Sequence, residues 1–219
     1  MSKKDNLRNT ELGTLLLLGS ACNEAVSYVR TNFDKDIDWL LANADDDDWR
    51  EWLAERVDIN SKDVLGQWID YVLGQTRLDL SRHWLPELPS EIGQLTKLEV
   101  LYLSRNRLTE LPSEIGQLAN LEVLFLSHNQ LTELPAEIGQ LTKLEVLDLS
   151  RNQLATLPSE IWQLTKLEGL FLSINQLTEL PAEIGQLTNL TGLDLSANQL
   201  TELPPEIRAM KHRGVRVYT

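Results

Sequence analysis

The sequence is short of cysteine, of positive charge and of long apolar runs, and each shortage removes a class of protein. Cys22 is the only cysteine in 219 residues, so no intramolecular disulfide framework can form. Stability must come from packing, which favours a reducing compartment. Twenty Lys and Arg stand against 33 Asp and Glu, for a formal net charge of -13. A diffuse field of that sign repels phosphate backbones and anionic head groups, so nucleic acid is not expected as a partner. No Gly-x-x-x-x-Gly-Lys-Ser/Thr loop occurs, and no Cys or His cluster has metal-ligand spacing, so neither a cofactor nor a metal is expected. What remains, 42% hydrophobic and 24% charged, is ordinary for a folded soluble chain.

The first thirty residues carry the one ambiguous apolar stretch. Lys3, Lys4 and Arg8 precede Leu12 to Cys22 in the outline of a bacterial lipoprotein signal ending at a lipid-modified cysteine. Asp5 and Glu11 place acid where such a signal is basic. Leu12, Leu15, Leu16, Cys22, Val26, Val29 and Phe33 also keep helical spacing past the cleavage point. The reading is an amphipathic helix in a cytoplasmic protein without membrane association. The alternatives are a secreted effector or a lipoprotein anchored through Cys22. No later stretch is long enough to span a bilayer.

An internal repeat then decides the architecture. Leu98-Glu99-Val100-Leu101-Tyr102-Leu103-Ser104-Arg105-Asn106-Arg107-Leu108 recurs from Leu121, Leu144, Leu167 and Leu190, a period of 23 residues without a slip. A degenerate copy with Leu78, Leu80, His83 and Leu85 precedes them. The segments Leu111 to Leu118 and Leu134 to Leu141 read Leu-Pro-x-Glu-Ile-Gly-Gln-Leu. The chain resembles the leucine-rich-repeat family in its bacterial form. That resemblance implies an α/β repeat solenoid, a right-handed superhelix with a parallel sheet on its concave side, and a continuous ladder of asparagines.

The residues assign the same tasks. Leu101 and Leu103 lie two apart and point to one side of a short strand, while Val100, Tyr102 and Ser104 point to the other. Asn106, Asn129, Asn152, Asn175 and Asn198 end the strands, where an amide satisfies main-chain groups of a turning chain. Pro112 suits the first position of a helical turn, and Gly116 relaxes the chain on its way back to the sheet. One repeat cannot bury its own leucines, so the array stacks and must be closed at both ends.

Three segments follow: a helical capping domain of about four helices over residues 1–74, repeats over 75–212 (one degenerate, five regular), and a capping strand over 213–219. In the first, Leu12 to Arg30, a short helix after Asp36, one after Asp45 to Asp48, and one capped by Asn60 or Ser61 form a small all-α bundle. The four aspartates lack the spacing, central Gly and terminal Glu of a calcium loop. Trp68 and Trp84 are candidates for the join to the repeats. Trp162, which replaces the convex-side glycine in one repeat, is either a partly exposed anchor or a residue packed over the neighbouring turn.

The copies differ from one another at few positions. The mid-strand column reads Tyr102, Phe125, Asp148, Phe171, Asp194, and three residues later Arg105, His128, Arg151, Ile174, Ala197. The column before it reads Val100, Val123, Val146, Gly169, Gly192. Neighbouring strands run about 4.8 Å apart, so Val100, Tyr102, Val123 and Phe125 should make one exposed apolar patch bordered by Arg105, His128 and Arg151. The expected function is non-catalytic binding of a protein partner on the concave face, by a monomer, with Asp148, Phe171, Ile174 and Asp194 extending the surface. A scaffold-type bacterial effector acting on host proteins is the alternative. An enzyme built on Ser127, His128 and Asp148 is disfavoured, because flat strands offer neither a pocket nor an oxyanion site.

Overall fold

The structure, a computed structural model, describes residues 74–219, of which Thr76–Thr219 form one compact unit. The helical bundle, Cys22, the aspartate run and Trp68 lie outside the described residues. Seven strands form a single open sheet in chain order: β1 (Arg77–Asp79), β2 (Val100–Tyr102), β3 (Val123–Phe125), β4 (Val146–Asp148), β5 (Gly169–Phe171), β6 (Gly192–Asp194) and β7 (Arg216–Tyr218). All pair in parallel. Each strand is only three residues long because only one residue per strand must face inward. The central leucines from Leu78 to Leu193 are essentially inaccessible, while their neighbours on either side lie on the other face of the sheet.

Register is locked at the sequence period. Val100 pairs with Val123 and Tyr102 with Phe125, and the backbone ladder continues past the strands through Leu103 N–H to Phe125 O (2.8 Å) and Arg105 N–H to Ser127 O (2.8 Å). The asparagines close this corner as expected. Asn129 donates through Nδ2 to Leu103 O (2.9 Å) and Leu126 O (3.0 Å), while its Oδ1 accepts from Leu108 N–H (3.1 Å). One buried amide thus satisfies three main-chain groups in two repeats, and Asn106, Asn152, Asn175 and Asn198 do likewise. In the degenerate copy, where His83 replaces asparagine, Asn106 Oδ1 accepts from both His83 N–H and Leu85 N–H (3.1 Å each).

The return segments are five-residue 3₁₀ turns, such as Ser113–Gln117 and Ala136–Gln140. Pro112 stands one position earlier than expected, as the extended residue before the turn (φ -67°, ψ 147°), and its carbonyl accepts Ile115 N–H (3.0 Å). Gly116 has a different task from the one read in the sequence. It is not a left-handed residue; it allows close approach, since a methyl group on it would lie 2.7 Å from the carbonyl oxygen of Glu137 in the next turn.

That contact explains Trp162. At the position where Gly116 and Gly139 press on the next turn, an indole fits only if that turn is held away, and Trp162 fills the gap at 2% exposure. It is core, and the exposed-anchor reading falls. A shallow cleft of about 340 Å³ remains beside it, lined by Thr156, Leu157, Glu179, Leu180 and Pro181.

The last return segment departs from the repeat expected to run to residue 212. Residues Pro205–His212 form an α-helix, α1, with Pro205 in its first turn, Glu206 near its N-terminus, and Lys211 and His212 in its last turn, where the helix dipole favours each charge. Ile207 and Met210, three apart on one face, are buried. Gly214 (φ 91°) then turns the chain into β7. No helix among the described residues is long and apolar enough to cross a membrane.

Candidate partner-binding face

The sheet face opposite the leucines carries two side chains per strand, and the register aligns them across the array. One column runs Val100, Val123, Val146, Gly169, Gly192; the other runs Tyr102, Phe125, Asp148, Phe171, Asp194 and continues to Tyr218. Sequence reading left Tyr218 out of this column, although the alternation in Val215-Arg216-Val217-Tyr218 carries the signal. It also left out Arg77 and Asp79, which the degenerate copy places at the head of each column.

Val100, Tyr102, Val123 and Phe125 are brought together as expected, but they are half-buried rather than fully exposed. The cause is mutual cover. Tyr102 and Phe125 stack with ring centroids 5.3 Å apart and an interplanar angle of 14°. Arg77 donates to the Tyr102 hydroxyl (2.8 Å), its guanidinium carbon 6.0 Å from the ring centre. Two repeats on, the ring of Phe171 lies down over Gly169: a methyl group there would meet its Cε2 at 3.1 Å. Gly192 faces open space. The face therefore has raised, ordered aromatics in its first half and a lower floor towards its end.

Behind these columns the serines pair across repeats, Ser104 with Ser127 (3.1 Å) and Ser173 with Ser150 (3.2 Å). Asp148 Oδ1 accepts Ser150 N–H (2.9 Å), and Asp194 Oδ1 accepts Ser196 N–H (3.0 Å) and the Ser196 hydroxyl (2.6 Å). Ser127 Oγ and Asp148 Oδ1 are thus engaged with Ser104 and Ser150, while His128 bonds to Ser150 O through its backbone N–H.

The rim row is unusual in its backbone. Arg82, Arg105, His128, Arg151, Ile174 and Ala197 all have left-handed φ, from 64° down to 54°. Each of the first five donates its N–H to the serine carbonyl of the next repeat, from Arg82 to Ser104 O (3.0 Å) through Ile174 to Ser196 O (2.9 Å). The ladder imposes the conformation, and the side chains project outward, Ile174 with 41% of its surface exposed. His128 is held below the ordinary imidazole pKa by partial desolvation and then by the charges of Arg151 and Arg105, which Asp148 offsets only in part. Trp84, a candidate for the join to residues outside those described, is 68% exposed and lies under Arg107, whose guanidinium carbon is 4.7 Å from its ring centre. Among the described residues no group of three or more His, Cys, Asp or Glu side chains is placed to hold a metal.

A regular 23-residue strand, asparagine and 3₁₀-turn unit is matched by family profiles described as leucine rich repeat over residues 76–131, 96–154 and 120–177, and as leucine rich repeats in two copies over 165–206. This chain is a leucine-rich-repeat protein. Among similar solved structures is a leucine-rich-repeat protein of Leptospira interrogans, 41% identical with a TM-score of 0.52, covering 62% of this chain and 40% of that one. The ectodomain of the Arabidopsis thaliana receptor kinase GASSHO1/SCHENGEN3, in complex with Casparian strip integrity factor 2, is 39% identical with a TM-score of 0.52, covering 55% of this chain and 15% of the receptor. An internalin of Listeria monocytogenes is 30% identical with a TM-score of 0.53, covering 60% of this chain and 37% of the internalin. The leucine-rich-repeat chain thus spans less than half the length of each of these proteins. No curated protein sequence matches it.

Proposed function

We propose that this leucine-rich-repeat protein is a non-catalytic module that binds a partner protein on its concave sheet face. The observation that supports this reading best is the stacked Tyr102–Phe125 pair, held in place by Arg77 beside the half-buried Val100 and Val123 on the sheet face opposite the leucines. Ordered aromatics flanked by arginines have the composition of interface anchors, and their ordering before binding reduces the entropy lost on association. The arrangement suits docking more than chemistry, because Ser127 Oγ faces the neighbouring Ser104 hydroxyl and Asp148 accepts a backbone N–H. The receptor kinase ectodomain solved in complex with Casparian strip integrity factor 2 is a similar leucine-rich-repeat structure holding a partner.

The chain is read as a monomer of the bacterial repeat type acting in the cytoplasm, on its single cysteine and on the acid near its N-terminus. Its net charge argues against nucleic acid and anionic membrane as partners. The test is affinity capture from native lysate with wild type beside Tyr102→Ala/Phe125→Ala. A partner retained by wild type and lost by the variant, with folding preserved, supports the reading. Equal capture by both overturns it.

A further inference from the structure

Resting on that reading, we infer that the partner presents an acidic segment, which lies along the rim row Arg82, Arg105, His128 and Arg151 while an adjoining apolar or aromatic residue meets Tyr102 and Phe125. The argument begins from charge distribution. The molecule is strongly acidic, and a glutamate recurs in each regular return turn, at Glu114, Glu137, Glu160 and Glu183. The rim row alternates nothing of the kind: its first four members are all basic or titratable to basic, and acid is absent from the whole column.

Backbone demand does not explain that choice. The left-handed conformation is imposed equally on Ile174 and Ala197, so the ladder accepts apolar side chains there as readily as arginine. The sheet-face carboxylate beside His128 does not explain it either, since Asp148 accepts Ser150 N–H with one oxygen and offsets only in part the field that Arg105 and Arg151 exert on His128. Arg105 and Arg151 place like charge on either side of His128, and carboxylates of a bound segment offset that charge. The acidic remainder of the surface repels the same segment, so the field guides it to this rim.

The row changes character where the face does. Beyond Arg151 come Ile174 and Ala197, beside the lower floor at Gly192. The acidic segment therefore belongs at the first four repeats, next to the stacked rings.

The test is selection of a phage-displayed random peptide library on the immobilised full chain at low salt, repeated with Arg105→Asn/Arg151→Asn and with Tyr102→Ala/Phe125→Ala. Asparagine tolerates the left-handed backbone, so the first variant keeps the fold, which its melting temperature checks. Enriched peptides are expected to combine Asp or Glu runs with an aromatic residue. They should bind at least tenfold more weakly to Arg105→Asn/Arg151→Asn and lose affinity as salt is raised. Neutral or basic peptides that depend on Tyr102 and Phe125 but not on the arginines would overturn the acidic-segment inference and leave the concave-face reading standing. Peptides indifferent to both variants, or no enrichment at all, would overturn both.

Discussion

Tyr102 and Phe125 lie one repeat apart in sequence and 5.3 Å apart in space, stacked nearly in parallel. Because each ring covers part of the other, the pair belongs to the fold as well as to the binding face. Truncating both to alanine should lower stability by about 1 kcal/mol, the typical worth of an aromatic pair, while removing most of the affinity for the partner. A thermal melt beside a binding measurement checks both; unchanged binding would show that the pair serves structure alone.

The asparagine ladder makes a sharper stability prediction. Asn129→Ala unpairs the buried Leu108 N–H and removes one of two donors from Leu103 O and Leu126 O, which keep Asn106 Nδ2 and Asn152 Nδ2. An unsatisfied buried main-chain group costs roughly 1–3 kcal/mol, so the loss should be about 2 kcal/mol. Denaturant unfolding measures it, and a loss below that of a typical surface substitution would contradict the ladder's role.

Two glycines should respond oppositely. Gly116→Ala forces a methyl group against the Glu137 carbonyl and should cost about 1–3 kcal/mol, as overpacking does. Gly192→Ala meets open space and should change stability by no more than about 0.5 kcal/mol. Equal effects in chemical denaturation would refute the close-approach explanation.

His128 sets a pH dependence whose sign follows from its lowered pKa. Folding favours the neutral ring, so its contribution to stability is present above the unfolded value of about 6.5 and is lost as pH falls through the lower folded value. Titration by NMR should place its midpoint below 6.5, and Arg151→Asn should move it upward. Binding of an acidic segment should move it upward too, with proton uptake between the free and bound midpoints.

Much of this was legible in the sequence, because repetition turns one chain into several aligned observations. Leucine parity, the strand register and the asparagine corner all follow from a period that never slips, as Val100 opposite Val123 shows. Three details were not. Trp162 was ambiguous because its burial depends on how far the next turn stands away, a distance no spacing encodes. Gly116 was read through backbone freedom when the constraint is Glu137, in the next turn of the stack. The helix α1 was read as part of the repeats because Pro205-Glu206-Ile207 keeps the outline of the turn. On the candidate face, the columns were visible but not their mutual cover, which arises from ring orientation.

The left-handed rim row separates what holds the solenoid from what the solenoid presents. Its main-chain bonds are made by the N–H of whichever residue occupies the position, and arginine, histidine and isoleucine make them alike. Among residues that tolerate the left-handed backbone, side-chain charge along this edge is therefore set independently of the ladder, so such substitutions can accumulate one repeat at a time and alter the preferred partner while the main-chain bonds stay in place.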